Sequence, residues 1–205
     1  MKTKLLSMIG ILALSSFTNT LSASEVGVKY ASYENGSGME YYGSVDLKYG
    51  VRLHANLSGL NMDSSELLSV AKSDLDMDFI RYGIGYYYDI TPALEVYANA
   101  TKAQLQPSDV TVELSLGDDQ VEEIVLELED VEGYEYDLGV KYRFLNDFEI
   151  DLSGKMIKYD DLDDVETFSA AFSYYITKGF KVTTEYTDES FLAESVYTLG
   201  VSYNF

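Results

Sequence analysis

From Glu25 onward the chain repeats one unit: about ten residues that alternate apolar and polar, then a turn. Side chains two apart on a strand share a face, so each unit is a strand with one greasy side and one wet side. The first sets Val26, Val28 and Tyr30 against Gly27, Lys29 and Ala31, and a turn cluster at 34–38 follows. The second sets Tyr41, Gly43, Val45, Leu47 and Tyr49 against Tyr42, Ser44, Asp46 and Lys48. After a tight turn at Gly50, Val51, Leu53, Ala55 and Leu57 oppose Arg52, His54, Asn56 and Ser58. The alternation lapses between residues 60 and 78, which reads as a longer loop with one or two helical turns at 65–72. Seven more strands follow, and the last, 197–205, carries Tyr197, Leu199, Val201, Tyr203 and Phe205 on its greasy side.

A strand that ends a chain leaves an unpaired edge beside an apolar face, and closing the sheet on itself removes that edge. In lipid, closure is compulsory, because no water is present to satisfy open backbone groups. The expected fold is all-β: a transmembrane antiparallel up-and-down barrel of ten strands, with eight as the alternative. An even count puts both chain ends on one side, where the first strand can pair with the last. Turns at Gly50, Asp89, Leu145 and Thr177 are short and the intervening connections long and acidic, the asymmetry of outer-membrane barrels. Outward aromatics cluster at strand ends: Tyr49, Tyr88, Phe144, Phe148, Phe180 and Phe205 near the short turns, and Tyr41, Tyr134, Phe168, Tyr186 and Tyr197 near the long loops. A soluble sandwich would alternate as well, but it does not account for two aromatic girdles.

The terminal segment resembles the last strand of bacterial outer-membrane barrels, in which a final Phe preceded by alternating apolar residues is the assembly signal. Over its length the chain is similar to the small barrels related to the OmpA transmembrane domain and to OmpX or Ail, which have eight strands. That resemblance implies an outer-membrane location, extracellular long loops, and lipid, lipopolysaccharide and the barrel-assembly machinery as partners. Tyr197, Leu199, Val201, Tyr203 and Phe205 would be the assembly signal.

Lys2 and Lys4, then the apolar run 5–14 and the small polar stretch 15–24, have the three-part layout of a secretory signal peptide. Residues 1–23 are expected to be removed, with cleavage after Ser22 or Ser24 as alternatives, leaving a barrel of residues 24–205. No later stretch approaches the ~18 apolar residues of a membrane helix. With no cysteine there is no disulfide framework or thiol chemistry, and a net charge of −21 argues against nucleic acid as a partner.

The inward faces carry bases, Lys29, Lys48, Arg52, Arg81, Lys141, Arg143, Lys155 and Lys181, and acids, Glu25, Asp46, Glu95, Glu135, Asp137, Glu149, Asp151 and Glu185. Charge removed from water must be paired. This mixture reads either as an ion-pair network filling the barrel or as the lining of a narrow pore. His54 is the only histidine, and Ser58 lies roughly 13 Å along the same strand, so the pair builds no catalytic triad. No catalytic set and no cofactor site emerges. Asp74, Asp76 and Asp78 have the spacing that opens an EF-hand loop but lack its glycine and final glutamate. Asp160, Asp161, Asp163 and Asp164 are weak candidates for divalent cations.

Residues 104–132 form the most informative connection. Val110, Val112 and Leu114 alternate before Gly117, and Ile124, Leu126 and Leu128 after it, so the neighbouring strands are expected to continue past the membrane as an extracellular hairpin interrupted near Pro107. The face carrying Val112, Leu114, Ile124 and Leu126 is a contact element for its own loops, a second copy or a surface partner. The function expected is that of a non-enzymatic outer-membrane barrel in surface interaction or envelope structure. A small porin with a narrow ion-pair-lined pore is the alternative, and an outer-leaflet enzyme has least in its favour.

Overall fold

A computed structural model describes residues 23–34, 36–63, 74–108, 110–115, 121–126, 129–160, 164–189 and 194–205. Twelve strands lie among them: β1 (Ala23–Tyr33), β2 (Gly36–Asp46), β3 (Val51–Asp63), β4 (Asp74–Thr91), β5 (Leu94–Pro107), β6 (Val110–Ser115), β7 (Val121–Leu126), β8 (Val131–Phe144), β9 (Phe148–Tyr159), β10 (Val165–Tyr175), β11 (Phe180–Glu189) and β12 (Glu194–Asn204). Ten of them close into an antiparallel up-and-down barrel, and β6 pairs only with β7. Closure comes from β1, which pairs with β2 on one side and with β12 on the other, from Glu25 opposite Asn204 to Ser32 opposite Tyr197. β1 begins at Ala23, the last residue of the expected leader.

The greasy parity faces out throughout. Tyr82, Ile84, Tyr86, Tyr136, Leu138 and Leu199 are all more than half exposed, an arrangement that costs roughly 25 cal/mol per Å² in water and nothing in hydrocarbon. Aromatic rings border this band at both ends. Near the short turns Phe148 lies 5.6 Å from Phe144 and 5.1 Å from Tyr174, and Tyr203 lies 6.2 Å from Phe205; near the loops Tyr186 lies 5.3 Å from Tyr197. The chain is a transmembrane β-barrel.

Beyond the band the chemistry of the two faces changes places while the parity continues. On β5 the outward set Val96, Ala98 and Ala100 gives way to Lys102, Gln104 and Gln106, as inward Glu95 and Asn99 give way to Ala103 and Leu105. Leu60, Leu105, Ile157, Val165 and Val196 are all buried on the inner face at this end. Outside the bilayer a barrel meets water on its outer surface, so its inside becomes an ordinary apolar core. The same reversal accounts for most of the lapse at residues 60–78. β3 and β4 pair in register out to Asp63 opposite Asp74, where strand no longer requires a lipid face. Residues 65–72 lie outside the described residues.

Both ends of β2 also differ from the sequence reading. β2 starts at Gly36, so residues 36–38 of the expected turn cluster belong to the strand. At its other end β2 stops at Asp46, and residues 48–50 form a turn in which Tyr49 (φ 65°) and Gly50 (φ 78°) are left-handed. A side chain at Gly50 would collide with the carbonyl oxygen of Tyr87 as well as being strained. Lys48 is therefore an exposed turn residue and not a lumen base. The β8–β9 turn has positive φ at both Leu145 and Asn146, the primed geometry that matches strand twist.

Candidate functional site

The inward faces assemble the site. Apart from Lys48, the charged residues expected inside stand on inward positions, and all of these but Asp137 pair as follows. Lys29 Nζ donates to Glu185 Oε2 at 2.8 Å, and Arg52 makes a bidentate contact with Asp46. Arg81 Nε reaches Glu135 Oε1 at 2.7 Å, and Lys155 Nζ lies 3.5 Å from Glu135 Oε2. Lys141 sits 3.8 Å from both Glu95 and Asp151. Lys181 is 3.2 Å from Glu25 and 3.9 Å from Glu149, and Arg143 Nη2 donates to Glu149 at 2.9 Å.

Each of these pairs joins adjacent strands or strands with one strand between them. Arg52–Asp46, Lys141–Asp151 and Arg143–Glu149 sit directly opposite each other in the register. Lys29 crosses β12 to reach β11, and its Cγ would lie 2.7 Å from a Cβ at Gly200. Tyr97 crosses β8 over Gly139 and donates to Asp151 Oδ1 at 2.8 Å; Tyr42 lies over Gly27 and donates to Glu25 at 3.3 Å. Small residues on intervening strands thus let long side chains lie flat along the wall. Aromatic faces hold the cations there: Arg52 is 3.9 Å from the Tyr87 ring centroid, and Lys141 lies 5.3 Å from Tyr87 and 5.1 Å from Tyr97.

The inward face of β10 carries no charge, and neither does that of β12 from Val196 to Asn204. Hydroxyls line β10 and β11 instead, with Ser169 2.8 Å from Thr187 and Ser173 2.8 Å from Thr183. A cavity of about 380 Å³ runs beside them, from Tyr33, Gly38 and Tyr159 near the loops, through the apolar collar of Leu60, Leu105 and Ile157, to Lys141, Glu149 and Lys181. Asn56 Oδ1, Asn99 Oδ1 and Asp137 Oδ1 are buried acceptors with no protein donor among the described residues, and acceptors of this kind take water.

His54 bonds Thr101 Oγ1 through Nε2 at 2.8 Å across Gly83, and Ser58 accepts from Arg81 at 3.1 Å, so the two serve separate contacts. Asp161 and Asp163 lie outside the described residues; Asp164 pairs with Lys158 at 3.4 Å. Among the described residues no cluster of three or more His, Cys, Asp or Glu could hold a metal. β6 and β7 pair Val110 with Leu126 and Val112 with Ile124, which places Val112, Leu114, Ile124 and Leu126 on one face by register. Two features escaped the sequence. Glu40 lines the cavity; it shares Tyr42's parity but falls next to the misplaced turn. The apolar collar is hidden in the sequence because the polarity of the alternation reverses there.

No family model matches the sequence, and neither does any curated protein. Solved structures of similar fold include the KdgM porin, at 15% identity and a TM-score of 0.49 over 88% of this chain and 99% of that one. The N-terminal β-barrel domain of Pseudomonas aeruginosa OprF matches at 19% identity and a TM-score of 0.34 over 91% and 100% of the two chains. Ail of Yersinia pestis matches at 14% identity and a TM-score of 0.36 over 89% and 96%.

Proposed function

We propose that the protein is a narrow channel of the bacterial outer membrane, passing small hydrated ions or solutes along its polar lumen. One observation carries this reading: the ion pairs lie along the wall and leave a continuous cavity of about 380 Å³, where a filling network would span the barrel. The buried acceptors favour a wet lumen. Export through a cleaved leader of residues 1–23, assembly through the terminal strand, extracellular long loops and the absence of enzymatic activity complete the proposal. Single-channel recording in planar bilayers tests it. Discrete conductance steps from the purified barrel are expected, and a membrane that stays silent at barrel densities confirmed by reconstitution rejects the channel.

A second reading is favoured by the hairpin. β6 and β7 form a sheet of their own beyond the barrel, which suits a surface contact with a second copy or an external partner. Replacing Leu114 and Leu126 with Ser should then change oligomer size, partner binding or protease protection of the loops while the barrel remains folded. If none of the three moves, the hairpin is a solvated extension only.

A further inference from the structure

We infer that Glu40 and Asp137 make the lumen cation-selective, so that the permeant class is small cations rather than anions or neutral solutes. The inference rests on the channel reading. All the bases lining the cavity, Lys29, Arg81, Lys141, Lys155 and Lys181, are held in ion pairs. Of the acids lining it, Glu25, Glu149, Asp151 and Glu185 are the partners of those bases. Glu40 and Asp137 are left over.

Neither is in an ion pair among the described residues. Asp137 accepts from Asn99 Nδ2 at 2.8 Å through Oδ2 while Oδ1 has no protein donor. Glu40 stands on the loop side of the lumen, in register with Ser58 on β3 and Lys29 on β1. The two residues lie at different heights on well-separated strands, β2 and β8. A cation moving down the cavity therefore meets a carboxylate outside the ion pairs at the outer end and another midway, and an anion meets no base outside them at either level. In a confined, low-dielectric passage unpaired charges set the local ion concentration, whereas paired ones largely cancel.

The test is the reversal potential of the full-length barrel in a potassium chloride gradient. The parent should prefer potassium, and Glu40→Gln or Asp137→Asn should each lower the potassium-to-chloride permeability ratio roughly two- to threefold. Asp160→Asn, a loop-side acid outside the lumen, should leave the ratio unchanged. Because the chain has no cysteine, Glu40→Cys can be labelled in the folded, conducting barrel. A sulfonate-bearing thiol reagent should restore the parental ratio, and a quaternary-ammonium reagent should depress it further. A conducting parent that prefers chloride, or whose ratio ignores both substitutions and both labels, overturns this inference and leaves the channel standing. A parent that does not conduct removes both.

Discussion

Tyr97 lies flat over Gly139 of the neighbouring strand and hydrogen-bonds Asp151 one strand further on, at 2.8 Å. That contact is possible because Gly139 has no side chain, and it keeps both the ring and the carboxylate out of the lumen axis. Gly139→Val is expected to lift the ring, break the Tyr97–Asp151 bond and destabilise the barrel by about 1 to 3 kcal/mol, the usual range for overpacking. Urea unfolding in lipid vesicles would measure the loss. Conductance should fall as well, since the displaced ring enters the cavity, and unchanged conductance would argue against a lumen whose width depends on wall-lying side chains.

Glu135 is 4% exposed at its side chain and receives both Arg81 and Lys155. Glu135→Gln should cost about 3 to 5 kcal/mol, because two buried bases lose one shared counter-charge. Asp46→Asn, in a more exposed pair nearer the turn, should cost less. Parallel unfolding of the two variants decides this, and equal costs would show that the pairs act independently of burial.

Leu152 faces lipid and its neighbour Ser153 lines the cavity. Arginine at Leu152 should destabilise the barrel by about 2 to 4 kcal/mol if the position lies near the bilayer midplane. Arginine at Ser153 should be much milder for folding and should instead reduce conductance. The reverse order in reversible unfolding would mean that the facing is inverted.

Phe205 borders an apolar hollow on the outer wall with Val26, Gly43, Val45 and Leu53, beside the β1–β12 seam. Removal of Phe205 should lower the yield of heat-modifiable barrel in the membrane fraction without blocking secretion. Normal membrane yield in that variant would count against the terminal strand as the assembly signal.

The facing of the strands could be read from residues alone, since period-two alternation is a property of each strand and lipid punishes a wrong face at every second position. Ten strands, the closure of first on last, the two girdles and all but one of the lumen charges follow from it. Lys48 was misplaced because a turn can begin two residues early without disturbing the alternation, and Glu40 was passed over for the same reason in reverse. The polarity reversal beyond the bilayer was also out of reach, because it depends on where the membrane ends relative to each tilted strand. Pairing lay further still from the sequence. Whether a lysine meets an acid across the lumen or along the wall is decided by the stagger between strands and by the small residue that happens to lie between them, as Gly200 lies between Lys29 and Glu185. The charges inside were determined by the sequence; which of them stand outside the ion pairs, and that a cavity remains between them, was decided by tertiary register.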